Sequence, residues 1–102
     1  MRIQNLNDSL RQNLGYKGPA GVLVTQVESD SFAEDCGLQP NDIITAINGH
    51  PVTSNEELTR IESTLKPGQA VAFKVMRAAP GRGQNPEWTP TFASGTLPAS
   101  VQ

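Results

Sequence analysis

The stretch GLQPNDIITAINGHPV, Gly37 to Val52, decides how this chain folds. Just before it, Ser31-Phe32-Ala33-Glu34 is a capping-box pattern that opens a helix of one or two turns. Gly37 closes that helix in the left-handed conformation that glycine adopts at little cost. Leu38 then folds back onto a core. Pro40-Asn41-Asp42 turns the chain into a strand, Ile43-Ile44-Thr45-Ala46-Ile47. Asn48-Gly49 follows at once, the strongest short-range hairpin signal, and Pro51-Val52 starts a short return strand.

Working outward, Val22 to Val27 (VLVTQV) is rich in β-branched residues and reads as a mostly buried strand. Upstream, Arg2 to Leu6 forms a short strand with Ile3 as its inward candidate. Asn7 caps a short helix that carries Leu10 and Leu14 and ends at Gly15. Downstream, Ser54-Asn55-Glu56-Glu57 is a second capping box and opens the best helix in the chain, ending near Leu65. Leu58, Ile61 and Leu65 make one apolar stripe on it. Pro67-Gly68 stops that helix, and Val71 to Met76 (VAFKVM) is a strand with Val71, Phe73 and Val75 on one face. Residues 78–87 are rich in Gly and Pro and form a long hairpin loop. Trp88 to Leu97 supplies the last strand, which Pro90 confines to an edge or a bulge. The tail at 98–102 should fray.

These signals predict an α+β domain over residues 1–97. It is a small, partly open antiparallel barrel or sandwich of five to six strands, capped by two to three short helices. The 102 residues suit one domain and one core. The net charge of −2 and the lack of any Lys/Arg run argue against a nucleic-acid partner. The apolar stretches are too short to span a membrane. No signal peptide is visible, and the chain reads as a segment of a longer protein.

Catalysis finds little support. Cys36 is the lone cysteine and His50 the lone histidine, too few for a typical zinc site. Cys36 reads as a small buried apolar residue, and His50, beside an Asn-Gly turn, as a solvated loop residue. No GxSxG surrounds a serine, and Ser31 and Ser54 are better used as caps. Glu56-Glu57 suits the start of a helix dipole. No phosphate loop, metal site or cofactor site is expected. What remains is an edge strand beside a helix, the arrangement that captures extended peptides by strand addition.

From Gly21 to Arg77 the chain resembles the PDZ domains of bacterial Deg/HtrA trypsin-like serine proteases. The residues that carry the likeness run from the apolar strand through Cys36-Gly37-Leu38, Asn41-Asp42-Ile43-Ile44, Ile47-Asn48-Gly49, Pro51-Val52 and the capped helix to Pro67-Gly68 and Arg77. They satisfy GL-x-x-(G/N)-D-x-I-x-x-(I/V)-(N/D)-G. Similar domains occur in tail-specific proteases, site-two proteases and secretion-system proteins.

The resemblance implies a module that binds C-termini or extended segments of misfolded proteins for an attached serine protease. It implies a setting in the bacterial periplasm or on the periplasmic side of the inner membrane. It also implies a parent that assembles as a trimer or larger cage. Met1 falls at the end of the carboxylate-binding loop, whose earlier residues are absent here. Arg2, Ile3, Gln4 and Asn5 fall on the ligand-pairing strand, with Ile3 pointing into the groove. With Leu58, Ile61 and Leu65 given to the core, the adjoining helix face carries Asn55, Thr59 and Glu62. That polar face predicts a weaker preference for a hydrophobic C-terminal side chain than the family norm. The alternative is a docking domain that packs on a neighbour through the same groove or the Trp88 edge and binds no free peptide.

Overall fold

In the computed structural model the described residues are 2–16, 18, 20–29, 31–79 and 87–97. Met1, residues 80–86 and residues 98–102 lie outside them. So do the loop-end assignment of Met1, most of the hairpin loop expected at 78–87 and the fraying expected at 98–102.

Among the described residues nine elements follow one another: β1 (Arg2–Asn5), α1 (Asp8–Leu14), β2 (Val22–Gln26), α2 (Phe32–Cys36), β3 (Ile43–Ile47), β4 (His50–Pro51), α3 (Asn55–Ser63), β5 (Ala70–Ala79) and β6 (Glu87–Thr96). The sheet order is β1-β2-β3-β5-β6, with β4 paired to β3, and every pairing is antiparallel. The strands β1 and β6 are therefore the edges. Pro90 sits on β6 opposite Met76, where an edge tolerates it.

The local signals act as their chemistry dictates. The side-chain oxygens of Asn7, Ser31 and Ser54 accept the N–H groups of Leu10, Glu34 and Glu57 and cap the three helices. Gly37 takes φ 93° behind α2. Asn48 and Gly49 take φ 50° and 84° and join Ile47 to His50 in a two-residue hairpin. Asn41 also adopts a left-handed φ of 75°, which asparagine bears better than other side chains.

Some boundaries differ from expectation. The helix α3 ends at Ser63, because Thr64 and Leu65 close it with tighter bonds to Ile61 and Glu62. Leu65 still packs against the core from that turn. The strand β5 runs ten residues, Ala70–Ala79, because β6 pairs with it along its whole length. His50 belongs to β4, opposite Ile47, though it is exposed as a loop residue would be. Glu57 closes its box on Thr53 instead of Ser54, accepting from the Thr53 N–H at 2.8 Å and its hydroxyl at 2.9 Å.

The sheet buries residues on both faces. One face, under α2 and α3, holds the main core of Val22, Val24, Ile44, Ile47, Leu58, Val71, Phe73 and Val75. The other, under α1, holds Tyr16, Leu23 and Ile43, with Leu10, Leu14, Met76 and Trp88 against them. This explains why β2 reads Val-Leu-Val without a polar break: its alternation serves two apolar faces. A register shift between Ile44 and Ala46 resets the alternation in β3. Ile44 and Ile47, three apart, thus reach the same core.

Candidate functional site

The candidate site lies where edge strand β1 meets α3. Val24 turns both its backbone groups away from β1. Its N–H donates to the Asp42 carbonyl at 2.8 Å, and its carbonyl accepts from the Asn41 N–H at 2.7 Å. In an antiparallel pair such a residue faces a partner whose groups also point away from the shared ladder. That partner is Ile3. The N–H and C=O of Ile3 therefore point to the open side of β1. Two residues on, so do those of Asn5, which pairs with Val22. Gln4, opposite Leu23, spends its groups on β2.

Side chains follow the same alternation. Ile3 packs against the main core together with Ile61 and Leu65. Asn5 lies on that face too and reaches α3, where its Oδ1 accepts the Asn55 N–H at 2.6 Å. Gln4 is exposed on the opposite face with Leu23, and Arg2 is exposed beyond a register shift. Of the residues assigned to the strand, Ile3 and Asn5 thus turn their backbone groups to the open side of β1 and their side chains to the α3 face, and Gln4 turns its backbone to β2 and its side chain to the other face.

On α3, Leu58 is wholly buried and Ile61 partly so, which fixes the helix rotation. Asn55, Thr59 and Glu62 make the stripe beside that core-facing one, and the Asn5–Asn55 bond puts this stripe toward β1. Asn55 is half-buried, and its own Oδ1 is fully buried with no hydrogen-bond partner. Thr59 and Glu62 are exposed. Protein mass around the Glu62 carboxyl pushes its pKa up. The other flank of α3 borders a separate shallow cleft of about 350 Å³, lined by Glu57, Arg60, Ile61, Thr64, His50 and Pro51.

The second sheet edge is also open. Ala72 spends both backbone groups on Asn48, its carbonyl accepting the Asn48 N–H and its N–H donating to the Asn48 side-chain Oδ1, so its partner Ser94 on β6 turns its own groups outward, as does Phe92. Phe92 is 72% exposed. Trp88 is not available in the same way. Its indole N–H donates to the Leu14 carbonyl at 3.3 Å, and its ring stands edge-on to Tyr16.

Cys36 and His50 stand in different surroundings. Cys36 is buried in α2, and burial pushes its thiol pKa up, away from a thiolate nucleophile. His50 is exposed on β4. Among the described residues no group of three or more His, Cys, Asp or Glu could hold a metal ion. No helix among them is long and apolar enough to cross a membrane.

The residue pair that sequence reasoning missed is Asp42–Arg77. Asp42 is 1% exposed. Its Oδ1 takes the Arg77 Nε–H at 2.8 Å and its Oδ2 takes Nη2–H at 2.6 Å. Asp42 Oδ2 also accepts the Gln39 N–H, and Arg77 Nη2 donates to the Gly37 carbonyl. The pair ties the end of α2 and the turn after it to β5. The one available signal was a charged residue set immediately before a run of isoleucines.

Among the described residues, six antiparallel strands and three helices leave one edge strand open beside a helix. The sequence model of the family described as "PDZ domain" matches residues 1–85, and the chain belongs to that family. It is 39% identical over 75 residues to a protein of Ectopseudomonas mendocina (strain ymp) named "Probable periplasmic serine endoprotease DegP-like", covering 74% of this chain and 16% of that one. A protein of the same name in Pseudomonas fulva (strain 12-X) is 34% identical over 97 residues, 95% of this chain and 19% of the relative. The chain thus spans under a fifth of these relatives' length. Among solved structures, the HtrA-type protease AlgW with a decapeptide superposes with a TM-score of 0.67 at 26% identity, covering 94% of this chain and 28% of that one. The HtrA3 PDZ domain bound to the phage-derived ligand FGRWV gives 0.62 at 25% identity, covering 92% and 84%.

Proposed function

We propose that this domain captures C-terminal or extended segments of proteins by adding them as a strand to β1. The observation that carries this reading is the outward-facing backbone of Ile3 and Asn5 beside α3. A ligand strand pairs with those groups, and its alternate side chains point between β1 and α3. The AlgW protease and HtrA3 PDZ domain structures both have a peptide in their descriptions. Residues 1–97 serve as one binding unit, and catalysis belongs to another part of the parent. The parent is a Deg/HtrA-type serine endoprotease of the bacterial periplasm, and the domain recruits or senses its protein substrates.

The groove face of Asn55, Thr59 and Glu62 makes the domain less selective for terminal Phe, Leu or Val and tolerant of Lys or Arg near the ligand's end. A large apolar side chain packed there would desolvate Glu62 without pairing it, which is costly. A titration of C-terminal peptides against the purified domain tests the core of the proposal. Saturable binding that disappears when the strand's residues are scrambled supports it, and no binding by any peptide refutes it.

A second reading, a docking domain, draws on exposed Phe92 at the open β6 edge. It predicts association through β6 with no peptide on β1.

A further inference from the structure

We propose that the Asn5–Asn55 bond is the inner wall of the groove and sets how many ligand residues are seated between β1 and α3. The inference rests on the strand-addition reading. Asn5 and Asn55 are fifty residues apart in sequence, and their 2.6 Å bond spans from the sheet to the first residue of the helix. It lies on the floor side, because Asn5 shares its face with Ile3. Two observations make it a wall. The Asn55 N–H belongs to the first helical turn, where a donor has no partner within the helix, and Asn5 fills that need. The Asn55 Oδ1 beside it is fully buried without a partner, so the Asn55 side chain packs inward at this end and does not extend into solvent.

A ligand residue opposite Ile3 therefore meets an open floor. The inward side chain two residues further from the ligand's C-terminus stands opposite Asn5 and meets the wall. Residues beyond that point leave the groove and add little affinity. Asn5 acts as a positioning residue that fixes where the bound strand must climb out.

Two substitutions remove the wall from opposite sides. Asn5→Ala deletes the acceptor. Asn55→Pro deletes the donor N–H and suits the first helical position, which favours proline. Ser54 before it already has the extended conformation that a residue preceding proline needs, with φ −151° and ψ 162°. Asn5→Asp keeps the acceptor and serves as the conservative rescue.

The probe is the strongest-binding C-terminal octapeptide from a random array, shortened one residue at a time from its N-terminus and titrated by calorimetry. In the wild type, affinity should stop rising at a length about two residues shorter than in Asn5→Ala and Asn55→Pro, following the two-residue period of the strand. Asn5→Asp should level off where the wild type does. Binding with the same levelling length in all four proteins overturns the wall and leaves strand addition standing. No binding of any octapeptide to any of the four overturns strand addition and the wall with it.

Discussion

Asp42, 1% exposed, holds Arg77 by two parallel bonds of 2.8 Å and 2.6 Å and so clamps the turn before β3 to the far end of β5. The geometry is the forked one that makes Arg–carboxylate pairs strong. The carboxylate pushes the Arg77 pKa up. Their further bonds go to the Gln39 N–H and the Gly37 carbonyl, so the pair braces the end of α2 and the turn after it.

Removing one partner leaves a charge in the interior. Replacing Arg77 by Met should cost about 3 kcal/mol, the lower end for a broken buried pair, because the Arg77 side chain is 27% exposed. For a domain of this size each kcal/mol lowers Tm by roughly 4–8 °C. Calorimetric melting of Arg77→Met measures it, and a Tm within a few degrees of wild type would deny the pair its structural weight.

Gly37 and Gly49 hold φ of 93° and 84°, and a Cβ added to either meets nothing within 4 Å. A substitution there is strained in the backbone without a clash. Valine at either site should cost on the order of 1–2 kcal/mol, while asparagine, which tolerates this conformation, should cost less. Equal melting of the Val and Asn variants would contradict the turn assignments.

The polar groove face predicts a change in ligand taste. Wild-type protein on a C-terminal peptide array should accept Lys or Arg near the terminus. Glu62→Val should shift preference toward terminal Leu, Val and Phe. Identical hydrophobic preferences in both proteins would mean that Glu62 plays no part in selection.

Burial raises the pKa of the Tyr16 phenol, against a smaller pull from the Arg11 guanidinium, and raises that of the Cys36 thiol, with Asp35 adding to it. Both groups ionise more easily in the unfolded chain. Their stabilisation is complete below the ordinary thiol and phenol range of about 8.5–10 and is lost as pH rises through the higher folded values. Tm should therefore fall in alkaline buffer, and Cys36→Ala should remove the thiol's share. A Tm that rises with pH across this range would run against the sign argued here.

The sequence made the local devices legible because their signals are short. Asn7, Ser31 and Ser54 cap helices within three residues, Gly37 ends one, and Asn48-Gly49 turns a hairpin on its own. The groove stripe of Asn55, Thr59 and Glu62 followed from helical spacing once Leu58 was assigned to the core. What stayed hidden depends on residues brought together by folding. Asp42 and Arg77 stand 35 apart in sequence, and Asn5 and Asn55 stand 50 apart. The two-sided core of the sheet was hidden for the same reason. Val22, Leu23 and Val24 read as one buried run, and only α1 packing against Leu23 reveals that the run serves two faces.

The central claim concerns one edge of one strand, and amide hydrogen exchange read by NMR reaches it directly. On adding a binding C-terminal peptide, the amides of Ile3 and Asn5 should gain protection, because the ligand strand accepts their N–H groups. The Gln4 amide, already bonded toward β2, should change little. Protection that leaves Ile3 and Asn5 untouched and appears instead at Phe92 and Ser94 would contradict strand addition at β1 and place the partner on the β6 edge.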